Sequence, residues 1–314
     1  DQLGQLTEIS GFNTNTLTSS LDNLAAAGVD SISIEQLNTA GVVGATADLT
    51  TLESAISASN TNAMGLPNAL SLEISDAQAN ALADLGAPLT GLGGFSFSAT
   101  DSADVLLDSA GATHLSTSLK DLQKLNIDAV GISGDLTVDL GTGGGLDDFA
   151  NLSSDALPSF IGEGEVSLAL DQLGQLTEIS GLNTNTLTSS LDNLAAAGVD
   201  QISIEGLAVS GVSASANLAD LTTLESAISA SNITAGPGTL SLAVSDSQAN
   251  ALADISGFNF SATDSADVIL DSAGATHLST SLKDLQKLNI DAVQFTNQLG
   301  AEILTGDVGL DLGS

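Results

Sequence analysis

The spacing of leucines along the chain predicts amphipathic helices that are each followed by a strand. Leu17, Leu21 and Leu24 have the i, i+4, i+7 spacing of a helix with one apolar face. Gly28 follows as a C-cap, and a run of alternating apolar residues begins at Val29. This part of the sequence therefore predicts a helix, a tight turn and a strand.

The same order of elements recurs about a hundred residues later. Leu115, Leu119 and Leu122 have helical spacing, and a second extended run begins at Val130. Asn126 stands where the first segment has Gly, and we expect it to end the helix because Asn tolerates the left-handed conformation. Helix, turn and strand are thus a repeated motif.

Capping boxes predict where two further helices begin. Residues 75–78 (SDAQ) and 50–53 (TTLE) each place a hydroxyl residue three positions before Gln or Glu. Both patterns return later in the chain, at 245–248 and 222–225. We expect a helix to start at each of these four positions.

Short extended runs complete the predicted elements, at 70–74, 95–99, 105–107, 136–140 and 166–170. Helices that alternate with short strands favour parallel pairing, with the helices covering the sheet. The sequence therefore predicts an α/β repeat protein, an elongated solenoid-like array of short parallel strands with covering helices. The alternative is an all-β protein made of sandwich or β-roll repeats.

Long internal repeats support the repeat interpretation. Residues 1–34 return at 171–204 with two changes, and residues 97–130 return at 260–293 with one change. We do not read the matched residues as functional on this ground, because recent duplication alone produces such identity. Length differences between the copies indicate surface loops.

Two repeat units follow from this comparison. Repeat unit 1 spans 1–170, and repeat unit 2 spans 171–314 and is incomplete. Unit 2 has a shortened loop near 255–257 and an insertion near 294–305. Since the chain does not begin with Met, we expect it to be part of a longer protein.

Charge and composition exclude several classes of partner. The 314 residues carry a formal net charge of −35, with 4 Lys and no Arg. Nucleic acid and anionic membrane surfaces need clustered cations, so neither is an expected partner. No apolar run is long enough to span a bilayer, so membrane insertion is not expected. The absence of Cys excludes disulfides and thiolate metal sites.

The candidate catalytic residues are few. His114 precedes a predicted helix in GATHLSTSL and is the possible base of a hydrolase, with Ser116 or Ser118 as nucleophile and Asp121 orienting the ring. A polar loop residue near a helix start is the simpler interpretation of His114. We therefore expect no enzymatic activity.

Aspartates suggest calcium as a possible cofactor. Hard divalent cations prefer several carboxylate and carbonyl oxygens, and Ca²⁺ accepts 6 to 8 of them. The spacing matches neither an EF-hand nor a regular Gly-rich nonapeptide array. Diffuse screening by counterions is the alternative. The candidate metal-binding residues are Asp101, Asp104, Asp108, Asp135, Asp139, Asp264, Asp267 and Asp271.

The cations form one pair in each repeat unit. Lys120 and Lys124, and likewise Lys283 and Lys287, are spaced i, i+4 on one helix face. They are candidates for a contact with an acidic surface of the neighbouring unit or chain. The alternative is a solvated helix face.

Two phrases carry a resemblance to a group of known proteins. THLSTSLKDLQKLNIDAV and SDAQANALADLG, within a long acidic and Cys-free repeat, resemble the very large tandem-repeat surface or secreted proteins of proteobacteria, described as adhesin-like or β-strand-repeat proteins. The resemblance implies type I secretion and folding on Ca²⁺ outside the cell. The missing nonapeptide array departs from that pattern.

These observations favour an extracellular or cell-surface structural protein. Its tandem units would form a filament, rod or surface layer for adhesion, matrix or envelope coating, with copies of itself as the main partner. A Ca²⁺-dependent adhesin or glycan-binding module is the alternative function.

Overall fold

The computed structural model of the chain contains helices and strands in alternation. It describes residues 13–34, 42–62, 70–84, 96–97, 104–108, 113–141, 149, 152, 157–170, 183–204, 214–235, 240–260, 267–271, 278–290 and 292–294.

Eight helices lie within these described residues. They are α1 (Thr14–Ala26), α2 (Val42–Asn62), α3 (Asp76–Asp84), α4 (Leu119–Leu125), α5 (Thr184–Ala196), α6 (Ala214–Ala235), α7 (Asp246–Ala253) and α8 (Leu282–Leu288).

Eleven strands lie within the same residues. They are β1 (Ser31–Ser33), β2 (Ser71–Ser75), β3 (Asp104–Asp108), β4 (Ala129–Ile132), β5 (Leu136–Asp139), β6 (Ser159–Gly162), β7 (Val166–Leu170), β8 (Gln201–Ile204), β9 (Ser241–Ser245), β10 (Asp267–Asp271) and β11 (Ala292–Gln294).

All the strand pairs of the described residues are parallel, as the sequence predicts. One sheet has the order β1-β2-β3-β4-β6, and the other has the order β5-β7-β8-β9-β10-β11. Neither sheet closes into a barrel within the part of the chain that the structure describes. The protein is therefore mixed α/β, and the all-β alternative is wrong. The helices predicted from the leucine spacing are present as α1 and α4.

The chain forms two compact units, each built around one sheet. The first comprises residues 1–133 and 156–162, and the second comprises residues 134–155 and 163–314. These bounds differ from the sequence repeats, because the repeat boundary after residue 170 falls inside the second compact unit. β7 ends at that boundary and pairs with β5 on one side and β8 on the other. Sequence repeat and compact unit are thus different divisions of the chain.

The ends of α1 and α4 form as the sequence predicts. After α1, the N–H of Val29 donates to the carbonyl of Leu24 at 3.0 Å, and Gly28 has a φ of +83°. This is the backbone geometry that ends a helix with a left-handed residue. Asn126 has a φ of 55° after α4, so it replaces Gly in the same role.

The predicted start of a helix at residue 50 is wrong. α2 begins at Val42, so residues 50–53 lie inside the helix, and the equivalent residues 222–225 lie inside α6. Thr222, the first residue of the second of these patterns, donates its hydroxyl to the carbonyl of Leu218 at 2.8 Å, one turn earlier. A Thr hydroxyl satisfied in this way does not cap a helix.

Aliphatic side chains fill the space between each sheet and its helices. Within each compact unit the helices pack in pairs, α1 with α2, α3 with α4, α5 with α6 and α7 with α8. Leu72, Leu122, Leu242 and Leu252 are among the side chains with no solvent exposure. The predicted strand at 95–99 is not observed at its two described residues, because Phe97 is buried outside any strand and donates its N–H to Leu125.

Glycine is required at the end of β6. Gly162 has a φ of +145°, and a Cβ atom built on it would lie 1.9 Å from the carbonyl oxygen of Ile132 on β4. Any larger residue at this position would push β6 away from β4. The close approach of the two strands therefore depends on Gly162.

Within the part of the chain that the structure describes, no helix is both long enough and apolar enough to cross a bilayer.

Candidate interaction surface

A carboxylate at the start of α3 ties this helix to the segment that begins α4. Asp76 accepts from the N–H of Ser116 at 2.7 Å and from the N–H of Thr117 at 2.9 Å. The buried hydroxyl of Thr117 donates to the same carboxylate at 2.8 Å. We call this group of three residues the first aspartate clamp. It holds one helix–strand repeat against the next through bonds to a charged acceptor, which are stronger than neutral ones.

The second copy contains an equivalent second aspartate clamp. Asp246, at the start of α7, accepts from the N–H of Ser279 at 2.6 Å and from the N–H of Thr280 at 2.9 Å. Burial of the Asp246 carboxyl raises its pKa, but the hydrogen bonds from Ser279 and Thr280 outweigh burial, so the pKa lies below its ordinary value. The folded protein therefore favours the charged form of Asp246.

Lysine ties the other end of the same helix pair. Lys124 donates its ammonium to the carbonyl of Ala83 at 2.6 Å, near the C-terminal end of α3. Lys287 donates in the same way to Ala253 at the end of α7. A cation at the C-terminal end of a helix also interacts favourably with the helix dipole. Both ammonium groups thus have a partner inside their own compact unit, and contact of Lys120, Lys124, Lys283 and Lys287 with a neighbouring unit or chain stays a prediction.

Side-chain amides provide a third kind of link between successive repeats. Asn126 donates to the carbonyl of Phe97 at 2.7 Å, and Asn289 donates to Phe260 at 2.7 Å. Gln78, which closes the capping box with Ser75, also donates to the carbonyl of Ile34 at 2.6 Å. The predicted capping box at 75–78 is therefore confirmed, and its glutamine has a second, tertiary partner. The equivalent box at 245–248 is also formed.

The residues of the possible hydrolase site have structural roles. Ser118 donates its hydroxyl to Asp121 at 2.8 Å and accepts from the N–H of Asp121, which caps α4. The N–H of Ser116 belongs to the first aspartate clamp, and His114 is exposed. The equivalent His277 lies outside the described residues. Ser118 and Asp121 thus form the start of α4.

The structure separates the candidate calcium ligands that it describes. Asp104 and Asp108 are the first and last residues of β3, so their Cα atoms lie about 13 Å apart along the strand. Asp267 and Asp271 have the same positions on β10.

The remaining candidate calcium ligands lie at the two ends of β5 or outside the described residues. Asp135 accepts from the N–H of Glu165 at 3.1 Å, and Asp139 ends β5. Asp101 and Asp264 lie outside the described residues. Among the residues that the structure describes, no group of three or more His, Asp or Glu is close enough to hold a metal ion. Calcium binding stays a prediction, and titration with millimolar Ca²⁺ while the melting temperature is followed tests it.

A cleft of about 520 Å³ lies between α5 and α6. Its lining consists of hydroxyl and aliphatic side chains, namely Thr184, Leu218, Ala219, Thr222, Thr223 and Ser226. None of these lining residues carries an ionisable side chain, so the cleft itself supplies no general acid or base.

Sequence reasoning did not find the aspartate clamps. Residues 75–78 signalled a capping box, and Ser118 and Asp121 signalled a helix start, but the partner of Asp76 is about forty residues away in the chain. The only signal was the recurrence of THLSTSL in both copies. A pattern read along the chain shows which side chains cap a helix, and it does not show which helices are neighbours.

Comparison of the chain with protein families, with curated protein sequences and with solved structures finds no match.

Proposed function

We propose that this chain is an extracellular structural repeat protein. Its helix–strand repeats stack into an elongated α/β solenoid, which is the building unit of a filament, rod or surface layer. Its main partners are further copies of the same repeat, and it performs no catalysis.

The order of the strands carries this proposal. From β7 to β11 each strand pairs with the next strand in the chain, and β1 to β4 follow the same rule. A sheet built in this way gains each new strand at the same edge, so it grows in one direction. Repeats that contact mainly their neighbours are the defining property of solenoid proteins.

The polar links between repeats support the same function. The aspartate clamps and the amide links of Asn126 and Asn289 join elements that are neighbours in the stack, and they recur in both copies. The clamps join backbone N–H groups to an aspartate carboxylate and the amide links end on backbone carbonyls, and a further copy of the repeat provides the same groups. The links are therefore suited to an array of indefinite length.

Net charge supports growth along one axis. A charge of −35 opposes side-by-side association, because like charges repel across the long faces of an array. The absence of Cys and Arg, together with the resemblance to secreted tandem-repeat proteins, supports an extracellular location.

Small-angle X-ray scattering of the chain and of a tandem version with residues 1–170 duplicated tests the proposal. A compact protein of 314 residues has a radius of gyration of about 20 Å. We expect a clearly larger value for the chain and an increase nearly proportional to repeat number for the tandem version. A radius near 20 Å, or an increase typical of a globule, contradicts it. Measurement in 0.5 M NaCl controls for elongation by charge repulsion, with a Debye length of roughly 4 Å.

A further inference from the structure

Two helices of identical sequence differ in how much of their apolar face is covered. α1 and α5 both read TNTLTSSLDNLAA. Leu24 of α1 is 39% exposed, whereas its equivalent Leu194 on α5 is completely buried. Ser20 is exposed and its equivalent Ser190 is buried. The same helix face is thus open in the first compact unit and covered in the second.

The difference extends over a continuous surface. We call this surface the α1 end face, and it consists of the exposed and half-buried positions from α1 to β1 that are more exposed than the equivalent residues of the second copy. Its members with apolar or amide side chains are Leu17, Asn23, Leu24, Ala27 and Val29.

The second compact unit shows what covers such a face. Leu152 donates its N–H to the hydroxyl oxygen of Ser190 at 3.1 Å, and its carbonyl accepts from the amide of Asn193 at 2.7 Å. Phe149 and Leu152 are themselves buried. Leu152 is therefore bound to α5 by two hydrogen bonds and is itself removed from water.

The strand next to α5 is covered by the same part of the chain. β7 pairs with β8 in parallel, with Leu168 opposite Ile202. At the start of this pair, Asp200 donates its N–H to the carbonyl of Val166 at 2.8 Å and accepts from the N–H of Val166 at 2.8 Å. Leu152 thus contacts the helix and β7 contacts the strand.

The first compact unit has the same receiving groups on α1 and β1. Ser20 and Asn23 are equivalent to Ser190 and Asn193, and Asp30 is equivalent to Asp200. Among the described residues β1 pairs with β2 alone and forms the edge of its sheet. We propose that the α1 end face is a docking surface for a segment with the sequence of residues 149–170, supplied by another copy of the repeat. This inference rests on the proposed function, and it specifies the contact by which one copy joins the next.

The second copy defines the register of this contact. The incoming strand lies parallel to β1, with Leu168 of the added segment opposite Ile32 and its Ala169 opposite Ser33. Its Leu152 places an N–H against Ser20 and a carbonyl against Asn23. Docking removes the exposed part of Leu24 from water, and the burial of apolar surface favours association.

A synthetic peptide with the sequence of residues 147–170 tests the proposal directly. The experiment is isothermal titration of the intact chain with the peptide in 0.5 M NaCl, because both partners are acidic. We expect one peptide per chain, no binding of a scrambled peptide, and slower hydrogen exchange in residues 14–34 but not in residues 184–204. Slower exchange confined to residues 184–204 would show exchange of the peptide with the chain's own segment and would overturn the proposal.

Two variants of α1 separate docking at this face from binding elsewhere. Leu24→Asp places a charge on the α1 end face, and we expect it to weaken peptide binding at least tenfold. Ser19→Asp adds the same charge at a position that is exposed in both copies, and we expect a change of less than twofold. Both residues are exposed, so both variants should fold, and circular dichroism verifies this. Equal binding by the two variants would overturn the proposal.

The peptide-binding experiment and the scattering experiment test the two proposals separately. If the chain binds the peptide but has the radius of gyration of a globule, the docking surface is supported and the solenoid function is contradicted. If the chain is elongated but does not bind the peptide, the solenoid function is supported and this docking surface is contradicted.

Discussion

Two helix junctions contain the same contacts although their connecting segments differ in length. One joins α3 to α4, and the other joins α7 to α8. Thr117 lies 41 residues after Asp76 in the first junction, and Thr280 lies 34 residues after Asp246 in the second. The hydroxyl of each threonine nevertheless donates to its aspartate carboxylate at 2.8 Å. The lysine and asparagine links are also preserved.

This comparison shows that the connecting segment does not position the helices. Seven residues are absent from the second connection, yet the helix pair and its clamp keep their geometry. The entropy of closing a loop depends only weakly on its length, about 0.6 kcal/mol for each doubling. The position of each repeat is therefore determined by specific contacts at the helix ends, and three predictions test whether the two junctions are equivalent.

Removal of the clamp carboxylate has the largest expected effect. Asp246→Ala leaves two backbone N–H groups without their acceptor and takes from the Thr280 hydroxyl one of its two acceptors, so we expect a loss of roughly 3 kcal/mol in the free energy of unfolding. Asp76→Ala should cost the same within about 0.5 kcal/mol, because the difference in loop length contributes little. Urea unfolding followed by circular dichroism measures both values.

Asp84→Ala and Asp254→Ala are the matched controls for this pair. Each removes one exposed carboxylate from the same helix pair, and surface substitutions of this kind change stability by about 0.5 kcal/mol or less. A clamp variant no less stable than its control contradicts the assigned role. Clearly unequal losses at the two junctions contradict their equivalence.

Substitution of the helix-ending asparagines has an intermediate effect. Asn289→Ala loses the amide bond to Phe260 and puts at φ 57° a residue that tolerates the left-handed conformation less well than Asn, which together should cost about 2 kcal/mol. Asn289→Gly keeps the backbone geometry and loses only the amide bond, so about 1 kcal/mol is expected. The same order should hold at Asn126. Thermal unfolding of the four variants measures it, and a Gly variant as stable as the natural chain would mean that the amide bond contributes nothing.

Acidification has the smallest expected effect on stability. The sign of this effect follows from the pKa of Asp246. That pKa is lowered in the folded protein, so the charged carboxylate contributes stability above about pH 4, and this contribution is lost as pH falls through the folded value. The difference in stability between Asp246→Asn and the natural chain should therefore shrink as pH falls below about 4.

Asp200 provides a contrast of opposite sign for the pH experiment. Burial raises its pKa, although the N–H of Val166 partly opposes this, so ionisation of Asp200 reduces stability as pH rises through the folded value. The stability of Asp200→Asn, measured relative to the natural chain, should therefore be greater at pH 7 than at pH 3. Parallel pH profiles for the Asp246 and Asp200 variants would show that neither carboxylate acts as assigned.

Much of the local structure is readable from the sequence. The leucine spacing predicts α1 and α4, Asn126 is recognised as a substitute for Gly, and the capping box at 75–78 is correct because its bonds join residues three apart. Strands at β2, β3, β5 and β7 are also found. These features depend on side chains close together in the chain, so a linear pattern contains the information needed.

Features that depend on tertiary neighbours were missed or misread. The predicted start of α2 is eight residues too late, because Thr50 and Glu53 have the spacing of a capping box but lie inside a longer helix. β6 is short, and its single buried residue, Phe160, gives no alternating pattern. Asp76 and Thr117 contact each other only because the sheet brings β2 and β3 together.

The sequence by itself determined the helix–turn–strand repeat, the parallel α/β class and the strongly acidic surface, because periodicity, capping chemistry and charge are local or additive properties. The tertiary structure alone decided which repeats are neighbours and which faces are covered. The clearest example is the pair α1 and α5, whose thirteen residues are identical but whose leucines differ in burial. Burial depends on what another part of the chain places against a face, and that information is not contained in the sequence of the helix itself.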